Sequence, residues 1–253
     1  MKNPVVVIGI GEMGSVFARG FLNLGHPVFP VVRGFEMAEM AQQLAGPELV
    51  VVAVAEKDLR TVLEQLPESW CDRLLLLQNE LLPADWQKHN LDPTVISVWF
   101  EKKKGMDSKV IIPSPVFGRH ARLVADALAA VGITTRVLAD AEQLLFELIL
   151  KNVYILTTNI AGLETDGTVG ELWSRHREFA TEVANEIISL QEQLAGQQLD
   201  RSQLIDGMVR AFNGDLEHKC MGRSAAARLQ RALELADKYA LDLPRLKEVA
   251  SAS

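Results

Sequence analysis

A glycine-rich turn near the amino terminus restricts the fold of this 253-residue chain more than any other feature. The apolar run at residues 5–8 has the pattern of a strand, and Gly9-Ile10-Gly11-Glu12-Met13-Gly14 follows it directly and opens a helical pattern. In such a turn the first glycine allows the sharp bend, the second lets the backbone approach a pyrophosphate, and the third lets helix and strand pack closely. This context predicts a dinucleotide-binding turn, with a plain βα turn that binds nothing as the alternative. The predicted cofactor-binding residues are Gly9, Gly11, Glu12, Met13 and Gly14.

Short β-branched runs alternate with helical patterns across the first half of the chain. Several runs are continuously apolar, as expected for strands covered by helices on both faces of a parallel sheet. After about Ala139 the strand pattern stops, and long amphipathic stretches divided by glycines follow. The predicted strands are residues 5–8, 28–32, 49–54, 74–77, 95–99, 110–112 and 134–138, and the later helices are 142–163, 168–195, 201–212 and 224–239.

The predicted fold class is therefore α/β with two domains. We expect residues 1–139 to form a Rossmann-type, doubly wound, mostly parallel sheet that binds a dinucleotide, and residues 140–253 to form an all-helical domain for substrate binding or dimerisation. Since no long Pro/Gly/Ser linker separates them, we expect the two halves to pack together with a cleft between them. Apolar faces on the later helices are consistent with packing inside the chain and equally with a homodimer.

Composition excludes several classes of protein. Lys plus Arg number 26 against 33 Asp plus Glu, and the resulting charge of −7 has the wrong sign for a nucleic-acid-binding face. Cys71 and Cys220 lie far apart, which indicates neither a disulfide framework nor a zinc ribbon and favours a reducing cytoplasm. The five histidines lack metal-ligand spacing, so no metal site is expected.

No membrane segment is expected either. The first apolar run is too short for a secretory segment, and a glycine cluster interrupts it. Residues 144–163 form the most apolar later stretch, but Glu147, Lys151, Asn152 and Asn159 interrupt it. A spanning helix needs about 20 predominantly apolar residues.

The end of the second strand bears on the choice of nicotinamide cofactor. An NAD-specific fold places Asp or Glu there for the ribose 2′-hydroxyl, whereas this chain has Val32-Arg33-Gly34. Arg33 is suited to a 2′-phosphate, which favours NADP over NAD. The alternative is an exposed arginine at a strand end, with Glu36 as a ribose ligand.

The basic run at residues 102–104 is interpreted as a solvated loop, with a cofactor phosphate as the alternative.

Lys151 interrupts a strongly apolar helical pattern. Tyr154, Ile155, Thr158 and Asn159 share its helical face by spacing. Burial would lower the pKa of the lysine towards the working pH and make it a proton donor for a carbonyl that receives hydride. Asn159 would then orient the substrate. The alternative is an ordinary surface pair with Glu147, four residues earlier.

The nucleotide-binding half resembles the ketopantoate reductase (2-dehydropantoate 2-reductase) family. The glycine turn, the Gly25-His26-Pro27-Val28 entry to the second strand and Arg33 are similar to that family's NADPH-binding half. Leu77-Gln78-Asn79 resembles its Gln-Asn motif, whose asparagine lies near the nicotinamide and the substrate.

The helical half continues the resemblance. Lys151 is similar to the family's catalytic lysine, and Asn159 to the second of two asparagines that follow that lysine on one helix. The resemblance implies an NADPH-dependent reductase of a small 2-oxo acid, in which Lys151 donates the proton and Asn79 and Asn159 position the substrate.

Several positions depart from the family pattern. Ile155 replaces the first of those two asparagines, and Ala55 stands where a lysine often follows the third strand. Ala226 replaces a functional glutamate, and Gly214 lies roughly where a substrate-binding serine is expected. A pocket that loses hydrogen-bond partners cannot hold a hydroxylated keto acid equally well, which leaves open a substrate other than ketopantoate.

Two further hypotheses remain open at this point. The β-hydroxyacid dehydrogenases share the G-x-G-x-M-G start and a catalytic lysine on a helix, but their asparagine comes four residues after the lysine, where this chain has Ile155. The losses at Ile155 and Ala226 also fit a degenerate NADP-binding protein without turnover.

Overall fold

The computed structural model describes residues 2–44 and 46–252. The chain divides into two compact units, Met1–Leu148 and Ile149–Ser253. The division falls inside one long helix, Ala141–Thr165, near whose start the sequence placed the domain boundary.

A seven-stranded sheet forms the centre of the first unit, and its order is β2-β1-β3-β4-β5-β8-β9. Neighbouring strands are parallel except β5 and β8. The strands are β1 (Val5–Ile8), β2 (Val28–Val31), β3 (Leu49–Val52), β4 (Leu74–Leu76), β5 (Thr94–Ile96), β6 (Phe100–Glu101), β7 (Lys109–Val110), β8 (Ser114–Phe117) and β9 (Thr135–Val137). Every residue of β1 and β3 is buried, as continuously apolar runs predict. The predicted α/β class with a mostly parallel sheet is confirmed.

One predicted strand was misplaced. Residues 110–112 do not join the main sheet, because Lys109–Val110 pairs with Phe100–Glu101 in a separate antiparallel hairpin. The main sheet instead contains Ser114–Phe117, where Pro115 lacks the N–H that a central strand normally donates. The carbonyl of Pro115 still accepts a hydrogen bond from the backbone N–H of Ser97, so β8 keeps a backbone bond to the β5 side at this residue.

Helices cover the sheet of the first unit. They are α1 (Glu12–Asn23), α2 (Met37–Gln43), α3 (Glu56–Glu64), α4 (Ala84–Gln87) and α5 (Ala121–Ala129), and a 3₁₀ turn spans Glu68–Trp70. Val16, Phe17 and Phe21 of α1 are buried in the same apolar cluster as Val5 and Val7 of β1. This packing holds the start of α1 beside the carboxyl end of β1.

The second unit is helical, as predicted. After α6 (Ala141–Thr165) come α7 (Val169–Arg175), α8 (Arg177–Ala195), α9 (Arg201–Gly214), α10 (Ala225–Lys238) and α11 (Pro244–Ala252). The predicted helix 168–195 is two helices with His176 between them, and α7 starts with a capping box between Thr168 and Glu171. Helix α11 is not among the helices predicted from the sequence.

Helix α6 is long and apolar enough to span a membrane by length and composition. However, 78% of its most apolar window is buried inside the protein. It is therefore a core helix of this fold, in agreement with the expectation from its interrupting polar residues.

Candidate active site

The turn between β1 and α1 requires glycine at two positions. Gly9 has φ +89°, and a Cβ there would lie 2.7 Å from the carbonyl oxygen of Ala53. A Cβ at Gly14 would lie 2.0 Å from the carbonyl oxygen of Gly9. Any side chain at either position would force β1, α1 and the end of β3 apart.

Gly11 differs from these two glycines, because a Cβ there would meet nothing within 4 Å. It is the N-cap residue of α1 and offers no side chain to the first amides of the helix. Uncapped amides at a helix start attract anions, through their donors and the helix dipole. Gly11 thus keeps open the space in front of an anion-binding helix end, which suits a dinucleotide pyrophosphate.

Glu12 is the first residue of α1, and its carboxylate binds Lys102. The Nζ of Lys102 lies 3.2 Å from Oε2 of Glu12 and donates to the carbonyl of Lys103 at 2.8 Å. The side chain of Lys102 is only 15% exposed. The interpretation of residues 102–104 as a solvated loop is therefore wrong for Lys102, although Lys103 and Lys104 are exposed.

A cavity of about 630 Å³ opens beside the glycine turn, at the carboxyl ends of β1, β2 and β3. Because β2 and β3 flank β1 on opposite sides, this is the position where the direction of the strand order reverses, and open α/β sheets bind ligands there. One face of α3 completes the wall. The lining residues include Gly9, Gly11, Arg33, Phe35, Ala55, Asp58 and Gln65.

Arg33 lies at the mouth of this cavity, immediately after β2. Its side chain is 95% exposed, and its Nη2 lies 4.0 Å from Oδ2 of Asp58 on α3. Gly34 follows with φ +89°, and Phe35 also lines the cavity. Glu36, the alternative ribose ligand, is the N-cap residue of α2 and is not among the residues that line the cavity.

The Gln-Asn pair after β4 ties two strand ends together. The Nε2 of Gln78 donates to the carbonyls of Val52 and Val54 at 2.7 and 3.2 Å, and its Oε1 accepts from the N–H of Leu77. Asn79 comes next, and its Nδ2 donates to Oε1 of Glu56 at 3.0 Å. Buried Gln78 is thus a structural link between β3 and β4, and half-buried Asn79 contacts the first residue of α3.

Lys151 lies on α6 and is half-buried. Its Nζ lies 5.5 Å from the ring centroid of Tyr154, a distance at which an ammonium is attracted to an aromatic face. Glu147, the alternative partner for Lys151, accepts a hydrogen bond from Nη2 of Arg136 at 2.5 Å.

Asn159 is buried on the same helix, and protein groups hold both of its polar atoms. Its Oδ1 accepts from Nη1 of Arg228 at 2.7 Å, and its Nδ2 donates to the carbonyl of Cys220 at 3.1 Å. Arg228 is 7% exposed. Burial also raises the pKa of the Cys220 thiol to about 11. Asn159 therefore links α6 to α10 and to the segment that precedes α10.

The described residues contain no group of three or more His, Cys, Asp or Glu side chains that could hold a metal ion.

Comparison with known proteins finds no matching family model and no matching curated protein. Solved structures, in contrast, match the whole chain. A D-mandelate dehydrogenase with NADH matches with a TM-score of 0.69 at 16% identity, over 100% of this chain and 98% of that chain. The 2-dehydropantoate 2-reductase of Geobacter metallireducens GS-15 gives 0.70 at 13% identity, over 98% of each chain. That of Porphyromonas gingivalis W83 gives 0.67 at 14% identity, over 100% and 99%.

The chain has the fold of the ketopantoate reductases. At such low sequence identities the similarity shows the fold alone, and the chemistry has to be argued from the residues of this chain. Within the ketopantoate reductase fold, the first unit contains the predicted glycines together with Arg33 and Asn79, and the second unit contains Lys151 and Asn159.

Two residues with a part in these contacts, Asp58 and Arg228, were missed by sequence reasoning. They had no local signal, because their partners Arg33 and Asn159 lie far away in sequence. Gln78 was recognised as part of the Gln-Asn motif, but its bonds to the carbonyls of Val52 and Val54 were not predicted.

Proposed function

We propose that the protein is a cytoplasmic NADPH-dependent reductase that converts a small 2-oxo acid into the 2-hydroxy acid. The observation that carries this proposal is the cavity at the carboxyl ends of β1, β2 and β3, with Gly11 open to it and Arg33 at its mouth. The likeness to 2-dehydropantoate 2-reductases and to a D-mandelate dehydrogenase supports the same class of reaction.

The residues of the first unit bind and orient the cofactor in this proposal. The amides at the start of α1 hold the pyrophosphate, and Gly11 admits it without a side chain in the way. Arg33 binds the 2′-phosphate of the adenosine ribose through its planar fork of donors. Asn79 orients the nicotinamide end, while its bond to Glu56 limits its own rotation.

The second unit contributes Lys151, which donates the proton that the carbonyl oxygen of the substrate receives. When bound, the reduced nicotinamide supplies a hydride to the carbonyl carbon of the substrate. Lys151 holds a proton on Nζ, polarises the carbonyl oxygen and transfers that proton to it, so that the 2-hydroxy acid leaves neutral at that oxygen. Water then reprotonates Nζ. The Tyr154 ring limits the orientations of the lysine side chain.

Asn159 acts as a positioning residue here. Its polar atoms bind Arg228 and Cys220, so it fixes the part of α6 that follows Lys151. A homodimer through the helical unit remains a prediction, tested by light scattering on the purified protein.

Lys151→Ala tests the proposal. We expect wild-type protein to consume NADPH with at least one member of a panel of 2-oxo acids, and the variant to be slower by about a hundredfold or more. Lys238→Ala is the matched control, because Lys238 also lies on a helix with its Nζ near a tyrosine ring, 5.0 Å from that of Tyr239. Equal rates for wild type and Lys151→Ala would remove Lys151 from the mechanism.

A non-catalytic dinucleotide-binding protein is the second candidate. It is favoured by Asn159, whose polar atoms are engaged by protein groups rather than directed to a ligand. Tight NADPH binding with no consumption across the panel, 3-oxo acids included, would support this candidate against the reductase.

A further inference from the structure

The cavity beside the glycine turn has one positively charged and one negatively charged side chain among its described lining residues. Arg33 is the positive group and Asp58 the negative one, and the lining residues beside them are uncharged. Their side chains are 95% and 42% exposed, and Nη2 and Oδ2 lie 4.0 Å apart. The pair is therefore loose and open to a ligand, since exposed ion pairs of this kind contribute little by themselves.

Helix α3 directs Asp58 towards the cavity. Thr61 and Val62 follow Asp58 by three and four residues, which places the three on one face of the helix, and all three line the cavity together with the C-cap residue Gln65. Glu56, the other acidic residue of the first turn, instead binds Asn79. An acidic residue in a first turn is favoured by the helix dipole, but the dipole does not require it to face the cavity.

The two charges have opposite preferences for the two nicotinamide cofactors. A 2′-phosphate carries about two negative charges and three acceptor oxygens near neutral pH, so Arg33 attracts it and Asp58 repels it. A free ribose 2′-hydroxyl is a hydrogen-bond donor, and a carboxylate is its natural acceptor. Asp58 therefore favours NADH at the same place where Arg33 favours NADPH.

We propose that Asp58 is a specificity-determining residue, which accepts a hydrogen bond from the adenosine ribose of NADH and opposes the 2′-phosphate of NADPH. This inference rests on the cofactor site of the proposed function. It follows that the protein binds both cofactors, and that its preference for NADPH is smaller than Arg33 alone would produce.

Asp58→Asn tests the inference, because it removes the charge and keeps the shape. Dissociation constants for NADPH and NADH are measured by fluorescence titration, and 2′,5′-ADP and 5′-AMP, which differ only in the 2′-phosphate, are titrated as competitors that report on the adenosine end alone. We expect the affinity ratio of NADPH to NADH to rise about tenfold in the variant, from tighter NADPH and weaker NADH binding. We expect Arg33→Gln to lower the same ratio.

Glu64→Gln is the matched control. Glu64 lies at the end of the same helix, and its Oε1 binds Arg60 at 2.7 Å outside the cavity. This variant should leave the ratio unchanged, and thermal unfolding of all variants checks that they fold.

The other possible results distinguish failure of the role of Asp58 from failure of the proposed function. An unchanged ratio in Asp58→Asn, or equal weakening of both cofactors, would overturn the role of Asp58 and leave the reductase proposal standing. A fall in the ratio would also overturn it, since Asp58 would then be holding Arg33 in place for the phosphate. If neither cofactor binds the wild-type protein, the proposed function itself fails.

Discussion

Arg228 and Asn159 form a buried hydrogen bond between two helices of the second unit. Nη1 of the guanidinium donates to Oδ1 of the amide at 2.7 Å, across 69 residues of sequence. A bond to a charged donor is worth more than one between neutral groups, and a buried guanidinium that loses an acceptor is costly. This contact makes Asn159 part of the framework that holds α6.

Replacing Asn159 should therefore lower stability. Asn159→Ala removes the acceptor of Arg228 and the donor to the Cys220 carbonyl, and we expect the free energy of unfolding to fall by about 1–3 kcal/mol in urea titration. Asn185→Ala is the control, because the Nδ2 of Asn185 binds only a carbonyl of its own helix in the described contacts. A loss below about 0.5 kcal/mol for Asn159→Ala would contradict the framework role.

The glycine turn allows stability and binding to be separated. Gly14→Ala should strongly destabilise the protein, because its Cβ would lie 2.0 Å from the Gly9 carbonyl oxygen. Gly11→Ala should lower the free energy of unfolding by only about 1 kcal/mol, since its Cβ meets no protein atom within 4 Å and the main cost is that alanine is a poorer N-cap than glycine. It should still weaken NADPH binding about tenfold or more, because the methyl group occupies the space needed by the pyrophosphate. Undiminished NADPH binding by Gly11→Ala would place the pyrophosphate elsewhere.

Gln78 should matter for folding rather than for chemistry. Gln78→Ala leaves the carbonyls of Val52 and Val54 without its Nε2 donor, and we expect a loss of about 2 kcal/mol by chemical denaturation. Gln42→Ala, at an exposed position on α2, serves for comparison and should change stability little. Similar small effects in both variants would show that the strand ends do not depend on Gln78.

The two cysteines should react at different rates. Burial raises the pKa of Cys220 from 9.0 to about 11, so this thiol stays protonated at pH 8 and gains its reactive thiolate only as the pH approaches 11. Burial also raises the pKa of Cys71, but Cys71 is less buried. We expect iodoacetamide at pH 8 to label Cys71 faster, as followed by peptide mass spectrometry. Faster labelling of Cys220 would contradict its burial.

Local sequence patterns predicted the elements whose position is determined by residues close together in the chain. The turn at Gly9 and the apolar strands β1 and β3 lay where expected, because spacing and continuous burial decide them. Pro115 hid β8, since a proline argues against a central strand until its partner is known. Helix α11 was missed because its cap comes from elsewhere: the carboxylate of Glu186 on α8 accepts from the N–H groups of Arg245 and Leu246.

The candidate site likewise contains some residues that the sequence predicts and others that it does not. Arg33 was predicted from its position after a strand, and Lys151 from its helical spacing. The neighbours that modify them were not predictable, because Asp58 and Arg33 are far apart in sequence and come together only where both line the cavity. The charge balance of the cavity is therefore visible only in the folded structure and could not be predicted from the sequence.

Transfer of a labelled hydride is the direct test of whether this protein reduces 2-oxo acids with NADPH. The protein is incubated with NADPH that carries deuterium at the transferable C4 position and with the 2-oxo acids of the panel, and the products are analysed by mass spectrometry. We expect a 2-hydroxy acid with one deuterium at C2 from wild-type protein, and almost none from Lys151→Ala. A wild-type protein that binds the cofactor but yields no deuterated 2-hydroxy acid from any substrate would contradict the proposed function.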